Sequence, residues 1–187
     1  MNLNVREALL EAARKAAQSH GYNALNFRDL AAAVGVKSSS VHYHFPSKAD
    51  LGAAVAKRYW EDTAQALEAL LAESPQPQRA LHEYPRIFRK SLEDQNRLCL
   101  GSFMGAESEN LPDAVKTEVQ AFADINVAWL EKVLVASSSD IPATAHQRAR
   151  AIFAAVAGAQ LIARSRSDIA LFDELLATYR VSGLLPA

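Results

Sequence analysis

Hydrophobic residues recur along most of the chain at intervals of three and four, which places them on one face of a helix. The first such stripe consists of Val5, Leu9, Ala12, Ala13, Ala16 and Ala17. Alanine is abundant, glycine is rare, and no alternation of apolar and polar residues is long enough to predict a strand. The pattern therefore predicts an all-α fold.

Capping residues predict three helix starts within the first fifty residues. A side chain that can cap a helix stands three residues before an acid in the pairs Asn4 and Glu7, Asn26 and Asp29, and Ser47 and Asp50. Gly21 and Gly35 are expected to end the first two of these helices. A short helix is expected over residues 38–44, before Pro46, and a long one over residues 48–72.

The rest of the chain predicts one linker and five more helices. The linker is Ser74-Pro75-Gln76-Pro77, and the helices are expected at about 78–94, 98–107, 113–136, 142–165 and 168–181. Asp140 and Ser167 are the expected caps of the last two helices.

Charge is distributed unevenly along the chain. Residues 1–60 carry a net charge of +4, whereas residues 61–187 carry −5. The basic excess suggests a polyanionic partner for the first third, although so few charges also arise by chance. Half of the residues are hydrophobic, which is enough for a sizeable core.

Cysteine content and hydropathy exclude several classes of protein. Cys99 is the only cysteine, which excludes an internal disulfide framework and a multi-cysteine zinc site. The N-terminus lacks the layout of a signal peptide, and the longest apolar stretch, residues 151–163, is shorter than the about 20 residues that cross a bilayer. We therefore expect a cytoplasmic protein with no membrane association and no cofactor.

Residues 21–51 have the layout of a helix-turn-helix. Two short helices are joined by a tight turn at Gly35-Val36-Lys37. The second helix is expected to present a cation, hydroxyls and amphipathic rings outward: Lys37, Ser38, Ser39, Ser40, His42, Tyr43 and His44. Such side chains suit phosphate oxygens and base edges in a major groove, although each one alone is as readily an ordinary surface residue.

This segment resembles the DNA-binding domain of the TetR family of transcriptional regulators. The matching residues are Phe27-Arg28-Asp29-Leu30-Ala31, Gly35-Val36, and Val41-His42-Tyr43-His44-Phe45-Pro46-Ser47-Lys48 with Leu51. The resemblance in motif covers about the first 60 residues, and the rest of the chain is similar in layout only. It implies an N-terminal three-helix DNA-binding domain over residues 1–50, with 48–72 as a connecting helix. It also implies a C-terminal helical bundle over residues 51–187 that binds an effector and forms a dimer.

The resemblance implies a role for individual residues as well. Arg28 would reach a base or a phosphate, and Ser38 and Ser39 would face bases. The phosphate contacts would come from Ser40, Tyr43, His44 and Lys48. His42 stands where the family often has tyrosine, so its contact is left open, and Phe45 would lie in the core.

Large apolar side chains of the second half predict a core and, by the resemblance, an effector pocket. The candidate pocket residues are Trp60, Phe88, Cys99, Phe103, Met104, Phe122 and Trp129. An aromatic stripe at helical spacing is more often core than pocket. Cys99 is interpreted as a buried small hydrophobe in preference to the alternative, a thiol that senses electrophiles with the help of Arg97.

The last two helices have the composition of a helix–helix interface. Small residues between Ala151 and Ala159 permit close approach. The candidate dimer-interface residues are Phe153, Val156, Ala157, Gln160, Leu161, Arg164, Ile169, Phe172, Leu176 and Tyr179. An intramolecular core explains this pattern as well as the four-helix dimer bundle that the resemblance implies.

Together with these observations, the resemblance to the TetR family implies a homodimeric regulator of transcription that binds palindromic double-stranded operator DNA. A repressor released by a small-molecule or electrophilic effector is the expected form, and a helical adaptor that uses the helix-turn-helix as a scaffold is the alternative. An enzyme is disfavoured, since no paired carboxylates, metal-ligand cluster or nucleotide-binding loop stands out. Glu107 and Glu109 are nearby acids of the kind usually found on a solvated face.

Overall fold

The structure is a computed structural model that describes residues 2–137 and 142–186, with side chains from residue 5 onward and, after the gap, from residue 143. These residues form ten α-helices and two short 3₁₀ turns without any strand, which confirms the all-α prediction. The helices are α1 (Asn2–His20), α2 (Phe27–Val34), α3 (Ser38–His44), α4 (Lys48–Glu73), α5 (Pro77–Glu83), α6 (Arg86–Glu93), α7 (Leu100–Ala106), α8 (Asp113–Ala136), α9 (Pro142–Arg166) and α10 (Ile169–Val181).

Local capping explains the bounds of α2 and α4. Asn26 Oδ1 accepts a hydrogen bond from the backbone N–H of Arg28 at 2.8 Å, which begins α2. Gly35, with a φ of 74°, ends α2 in the left-handed conformation that glycine adopts without strain. Ser47 and Asp50 cap α4 reciprocally, because the Ser47 N–H donates to Asp50 Oδ2 at 3.0 Å and the Asp50 N–H donates to Ser47 Oγ at 3.2 Å.

Two predicted helix bounds are wrong. α1 begins at Asn2, so Asn4 lies inside the helix rather than at its cap. The helix predicted over residues 78–94 is divided into α5 and α6 by Pro85, which has no N–H to donate and cannot continue a regular helix.

The predicted cap of α10 is also wrong. Asp168 caps this helix, since its Oδ1 accepts the backbone N–H of Leu171 at 3.2 Å. Ser167 instead adopts a φ of 52° in the turn before it. Asp140, the predicted cap of α9, lies outside the described residues.

The chain divides into two compact units that are not contiguous in sequence. The first unit comprises Met1–Glu61 and Leu100–Phe122, and the second comprises Asp62–Cys99 and Ala123–Ala187. The predicted domain boundary after residue 50 therefore falls inside α4, which contributes residues to both units.

Each unit has a core of its own. Fully buried side chains of the first unit include Leu9, Ala13, Val41, Leu51, Met104 and Val115. Those of the second unit include Leu81, Tyr84, Leu130, Ile152, Val156 and Phe172. Burying the Leu, Ile, Val, Met and Phe side chains among these contributes about 1.5–3 kcal/mol each. In the described part of the chain, no helix is both long enough and apolar enough to span a membrane.

Candidate nucleic-acid interface

The two sides of α3 differ strongly in exposure. Val41 is 0% exposed and Phe45, directly after the helix, is 2% exposed, so this side is anchored in the core. Tyr43 is 74% exposed on the other side. Lys37, Ser38, Ser39 and His42 are also exposed, and Ser40 and His44 are half-buried. The predicted DNA-contacting side chains of this helix therefore lie on its open side or at the margin of it.

The turn between α2 and α3 is built around glycine and backbone hydrogen bonds. The Val36 N–H donates to the Ala31 carbonyl at 2.9 Å, and the Gly35 N–H donates to the Ala32 carbonyl at 3.2 Å. Ala31 is 2% exposed and has no bulk beyond its methyl group. This combination closes the chain tightly enough for two short helices to pack on each other.

Ring contacts hold the side chains of α3 in place. His42 meets the Phe27 ring edge-on with centroids 4.6 Å apart, and Tyr43 meets His44 in the same way at 5.1 Å. The Arg6 guanidinium lies 5.4 Å from the centre of the Phe45 ring. The rings near the open side are therefore supported by neighbours and do not stand alone in solvent.

The two cations predicted to flank α3 have different surroundings. Arg28 is exposed in the first turn of α2. Lys48 Nζ donates to the Asn23 carbonyl at 3.2 Å and lies 4.7 Å from the centre of the Tyr22 ring. A phosphate at Lys48 would have to share an ammonium group that already has partners within the protein.

The predicted pocket residues are divided between the two units. Trp60, Phe103, Met104 and Phe122 belong to the first unit, and Phe88, Cys99 and Trp129 belong to the second. Several of them have packing or hydrogen-bonding roles. Trp60 Nε1 donates to a Glu118 carboxylate oxygen at 2.7 Å, and the Phe122 ring lies 5.3 Å from that of Tyr59.

Cys99 lies in a buried hydrogen-bonded bridge of the second unit. Its side chain is 2% exposed, and its backbone N–H donates to Gln160 Oε1 at 3.1 Å. Gln160 Nε2 donates in turn to the Phe88 carbonyl at 2.6 Å. The Arg97 guanidinium donates to the Asp94 carboxylate. The burial of Cys99 agrees with its interpretation as a small core hydrophobe.

A groove of about 270 Å³ lies between α4 and α8 within the second unit. It is lined by Ala64, Leu67, Glu68, Ile125, Ala128, Trp129 and Lys132. Lys132 Nζ donates to both oxygens of Glu68, at 3.0 and 2.9 Å. The groove therefore combines an apolar lining with one ion pair of zero net charge.

Trp129 is the one pocket candidate that lines this groove. Its ring stacks on that of Tyr84 with centroids 5.7 Å apart, and its Nε1 is buried without a hydrogen-bond partner. The Tyr84 hydroxyl donates to Asn126 Oδ1 at 2.9 Å, and burial raises the pKa of Tyr84 well above its usual range, so the phenol stays neutral. An unpaired buried donor costs about 1–3 kcal/mol.

The predicted dimer-interface residues fall into three groups. Five of them are half-buried: Phe153, Ala157, Arg164, Ile169 and Tyr179. Val156, Gln160, Phe172 and Leu176 are at most 5% exposed within a single chain, so they have no surface left to offer a partner. Leu161 is 54% exposed. Sequence reasoning missed Ile162 and Val181, which are 45% and 91% exposed. The helical spacing of Ala151, Ala154, Leu161 and Ile162 on α9 is the signal that could have found this open face.

Within the described ranges, no group of three or more His, Cys, Asp and Glu side chains could hold a metal ion. A helix-turn-helix with an open second helix, carried by a chain that is otherwise helical, is typical of DNA-binding regulators.

Comparison with known proteins agrees with this class. The family model described as "Bacterial regulatory proteins, tetR family" matches residues 9–55. A TetR transcriptional regulator from Legionella pneumophila superposes with a TM-score of 0.88 at 28% identity, over 94% of this chain and 95% of that one. A TetR-family regulator from Agrobacterium tumefaciens superposes with a TM-score of 0.87 at 27% identity, over 94% and 95%. The reduced form of E. coli NemR shares the fold, with a TM-score of 0.84 at 21% identity over 98% of both chains. No curated protein matches the sequence significantly.

Residues 9–55 match the TetR family model, and the fold as a whole superposes on two regulators of that family, so the findings support a TetR-family transcriptional regulator. This confirms the family resemblance and the fold class that the sequence predicted.

Proposed function

We propose that this regulator is a homodimeric repressor that binds palindromic operator DNA through α3 and leaves it when a small molecule binds the second unit. The observation that carries DNA binding is the exposure of α3, where Tyr43 is 74% exposed while Val41, at 0%, holds the helix in the core. Hydroxyls, imidazoles and a phenol on the open side are suited to phosphate oxygens and base edges.

DNA binding is tested by fluorescence anisotropy on the duplex upstream of the protein's own gene and on a random duplex of equal length. We expect tighter binding to the first duplex and a linear fall of log K with log salt concentration. Lys37→Ala should reduce the salt slope by about one, and Lys57→Ala, at another exposed lysine of the first unit, is the matched control. An unchanged slope would show that Lys37 does not contact a phosphate. The absence of binding to either duplex at low salt would overturn the proposal. Expression of a reporter gene placed downstream of the bound sequence distinguishes repression from activation.

The open faces of α9 and α10 support the dimer. Leu161 and Ile162 on α9 and Val181 on α10 are large apolar side chains left at 45–91% exposure, and a two-fold partner would cover them. Leu161→Glu should therefore convert the dimer to a monomer in sedimentation velocity. Lys57→Glu, which adds a carboxylate at an exposed position of α4, serves as the control. A dimer that survives Leu161→Glu would contradict this interface.

The groove beside Trp129 supports a site for a small, neutral, mainly apolar effector with a hydrogen-bond acceptor. The lining is apolar, the Glu68–Lys132 pair is neutral as a whole, and the indole N–H lacks an acceptor. Because Nε1 is buried, a ligand must displace a groove side chain to reach it.

Two probes of similar size test this site. Acetophenone carries a carbonyl acceptor, and ethylbenzene does not. In a Trp60→Phe background, Trp129 provides the single indole N–H signal of the NMR spectrum. We expect acetophenone to move this signal downfield and ethylbenzene to leave it near its place. In the affinities of the two probes, measured by titration, Trp129→Phe should abolish the preference for the ketone. Equal responses to both probes would exclude the Trp129 donor.

The alternative effector is an electrophile that releases the protein from its operator. Cys99 would be the residue that reacts with it. Operator release after treatment with a thiol alkylator is compared in the wild type and in Cys99→Ser. A response of equal size in both proteins would exclude the cysteine as sensor.

A further inference from the structure

Glu107, at the end of α7, makes a contact that its sequence context does not suggest. Its Oε2 accepts the backbone N–H of Tyr22 at 2.7 Å, in the turn between α1 and α2. Both residues belong to the first unit. Glu109, two residues further on, is exposed. The prediction that both acids lie on a solvated face therefore fails for Glu107.

Gly21 is matched to this carboxylate in two ways. Its φ of 78° lies in the left-handed region, where any other residue is strained. A Cβ added to it would stand 2.6 Å from Glu107 Cδ, which is closer than real atoms approach. The Glu107 carboxylate therefore occupies space that is free only because residue 21 is glycine. Gly21 and Glu107 are thus matched to each other at this turn.

The same turn is held from α4. The Tyr22 ring is 7% exposed and occupies the space above Gly52, where an added Cβ would lie 2.6 Å from the ring. Lys48 Nζ lies over this ring and donates to the Asn23 carbonyl. The chain then enters the Asn26 cap of α2, so the turn that Glu107 and Lys48 contact leads directly into α2.

We propose that Glu107 is a positioning residue for sequence-specific DNA binding. Its carboxylate fixes the turn at Gly21 and Tyr22, and this turn holds α2 and α3 in the orientation that lets α3 enter the major groove. The proposal rests on the proposed DNA-binding function. Base contacts require the reading helix to be held closely in place, whereas contacts to phosphates alone tolerate displacement. Loss of the Glu107 contact should therefore weaken specific binding much more than non-specific binding.

The test uses the full chain and a duplex that the wild-type protein has selected from a random library, together with an unselected duplex. The variants are Glu107→Ala, Glu107→Gln and the control Glu109→Ala. We expect Glu107→Ala to raise Kd for the selected duplex about tenfold and to change Kd for the unselected duplex less than about twofold, since a hydrogen bond to a charged group is lost. Glu107→Gln keeps an oxygen acceptor and should recover most of the affinity, and Glu109→Ala should match the wild type.

A second readout needs no DNA. The Tyr22 amide should exchange with solvent faster in Glu107→Ala than in the wild type. Gly21→Ala should cost less affinity in the Glu107→Ala background than alone, because the carboxylate it clashes with is absent. Unchanged Tyr22 exchange, or an equal loss of affinity for both duplexes, would overturn the positioning role. If the wild type shows no preference for any duplex, both the proposed function and the positioning role fail. The exchange rate of the Tyr22 amide then still shows whether Glu107 makes the contact.

Discussion

Gln160 offers a test of whether α9 is held in place by contacts within its own chain or by contacts with a partner subunit. Its side chain is 0% exposed and joins two backbone groups, the Cys99 N–H at 3.1 Å and the Phe88 carbonyl at 2.6 Å. Gln160→Ala removes both hydrogen bonds, at about 0.5–1.5 kcal/mol each. The space left by the amide and one methylene adds about 1–2 kcal/mol. The expected loss in the free energy of unfolding is about 2–5 kcal/mol.

The assay is urea and thermal denaturation at several protein concentrations. A loss of this size lowers the midpoint by about 10 °C in a chain of 187 residues. Because the bridge lies within one chain, the shift should be the same at every concentration. The matched variant is Leu161→Ser, at the next position of α9, where Leu161 is 54% exposed. It should make the midpoint less dependent on concentration, because a monomer unfolds at the same temperature at every concentration. If Gln160→Ala left the unfolding free energy within about 0.5 kcal/mol of the wild type, the structural reasoning about this bridge would be refuted.

Four further outcomes are expected from the first unit. Tyr43→Ala should weaken binding to all duplexes alike without changing the salt slope, because a phenol carries no charge; an effect on one sequence only would assign Tyr43 to a base. Ser39→Ala should change the consensus selected from a random library, and an unchanged consensus would argue against base contact. Asn26→Ala should lower the unfolding free energy by about 1 kcal/mol in urea denaturation through loss of the α2 cap, whereas the exposed Asn110→Ala should not. Lys48→Ala should lower the thermal midpoint as well as DNA affinity, since its ammonium also binds the turn before α2; reduced affinity with an unchanged midpoint would contradict this contact.

The elements that the sequence predicted well are those determined by neighbours in the chain. The capping pair Ser47 and Asp50 and the left-handed Gly35 act within three or four residues, so the pattern alone places the ends of α2 and α4. The break at Pro85 is also readable from local chemistry, because proline interrupts a helix, but the prediction of one helix over residues 78–94 did not include it.

Contacts between distant residues could not be read in this way. Nothing in the vicinity of Glu107 indicates that its partner is Tyr22, 85 residues earlier. Gln160 and Leu161 are adjacent on α9, yet one is buried and the other exposed. A stripe of small and apolar residues identifies a packed face, but only the three-dimensional arrangement says which part of it meets the same chain and which part stays open.

The discontinuity of the first unit has a consequence for synthesis on the ribosome. Residues through Glu61 are made first, but this unit is complete only with Leu100–Phe122. At about 5–20 residues per second, the delay is roughly 3–12 s. During this interval Trp60 has not yet met Glu118, and Tyr22 has not yet met Glu107. The growing chain therefore carries α1, α2 and α3 for several seconds before the contacts from Glu107 and Glu118 can form.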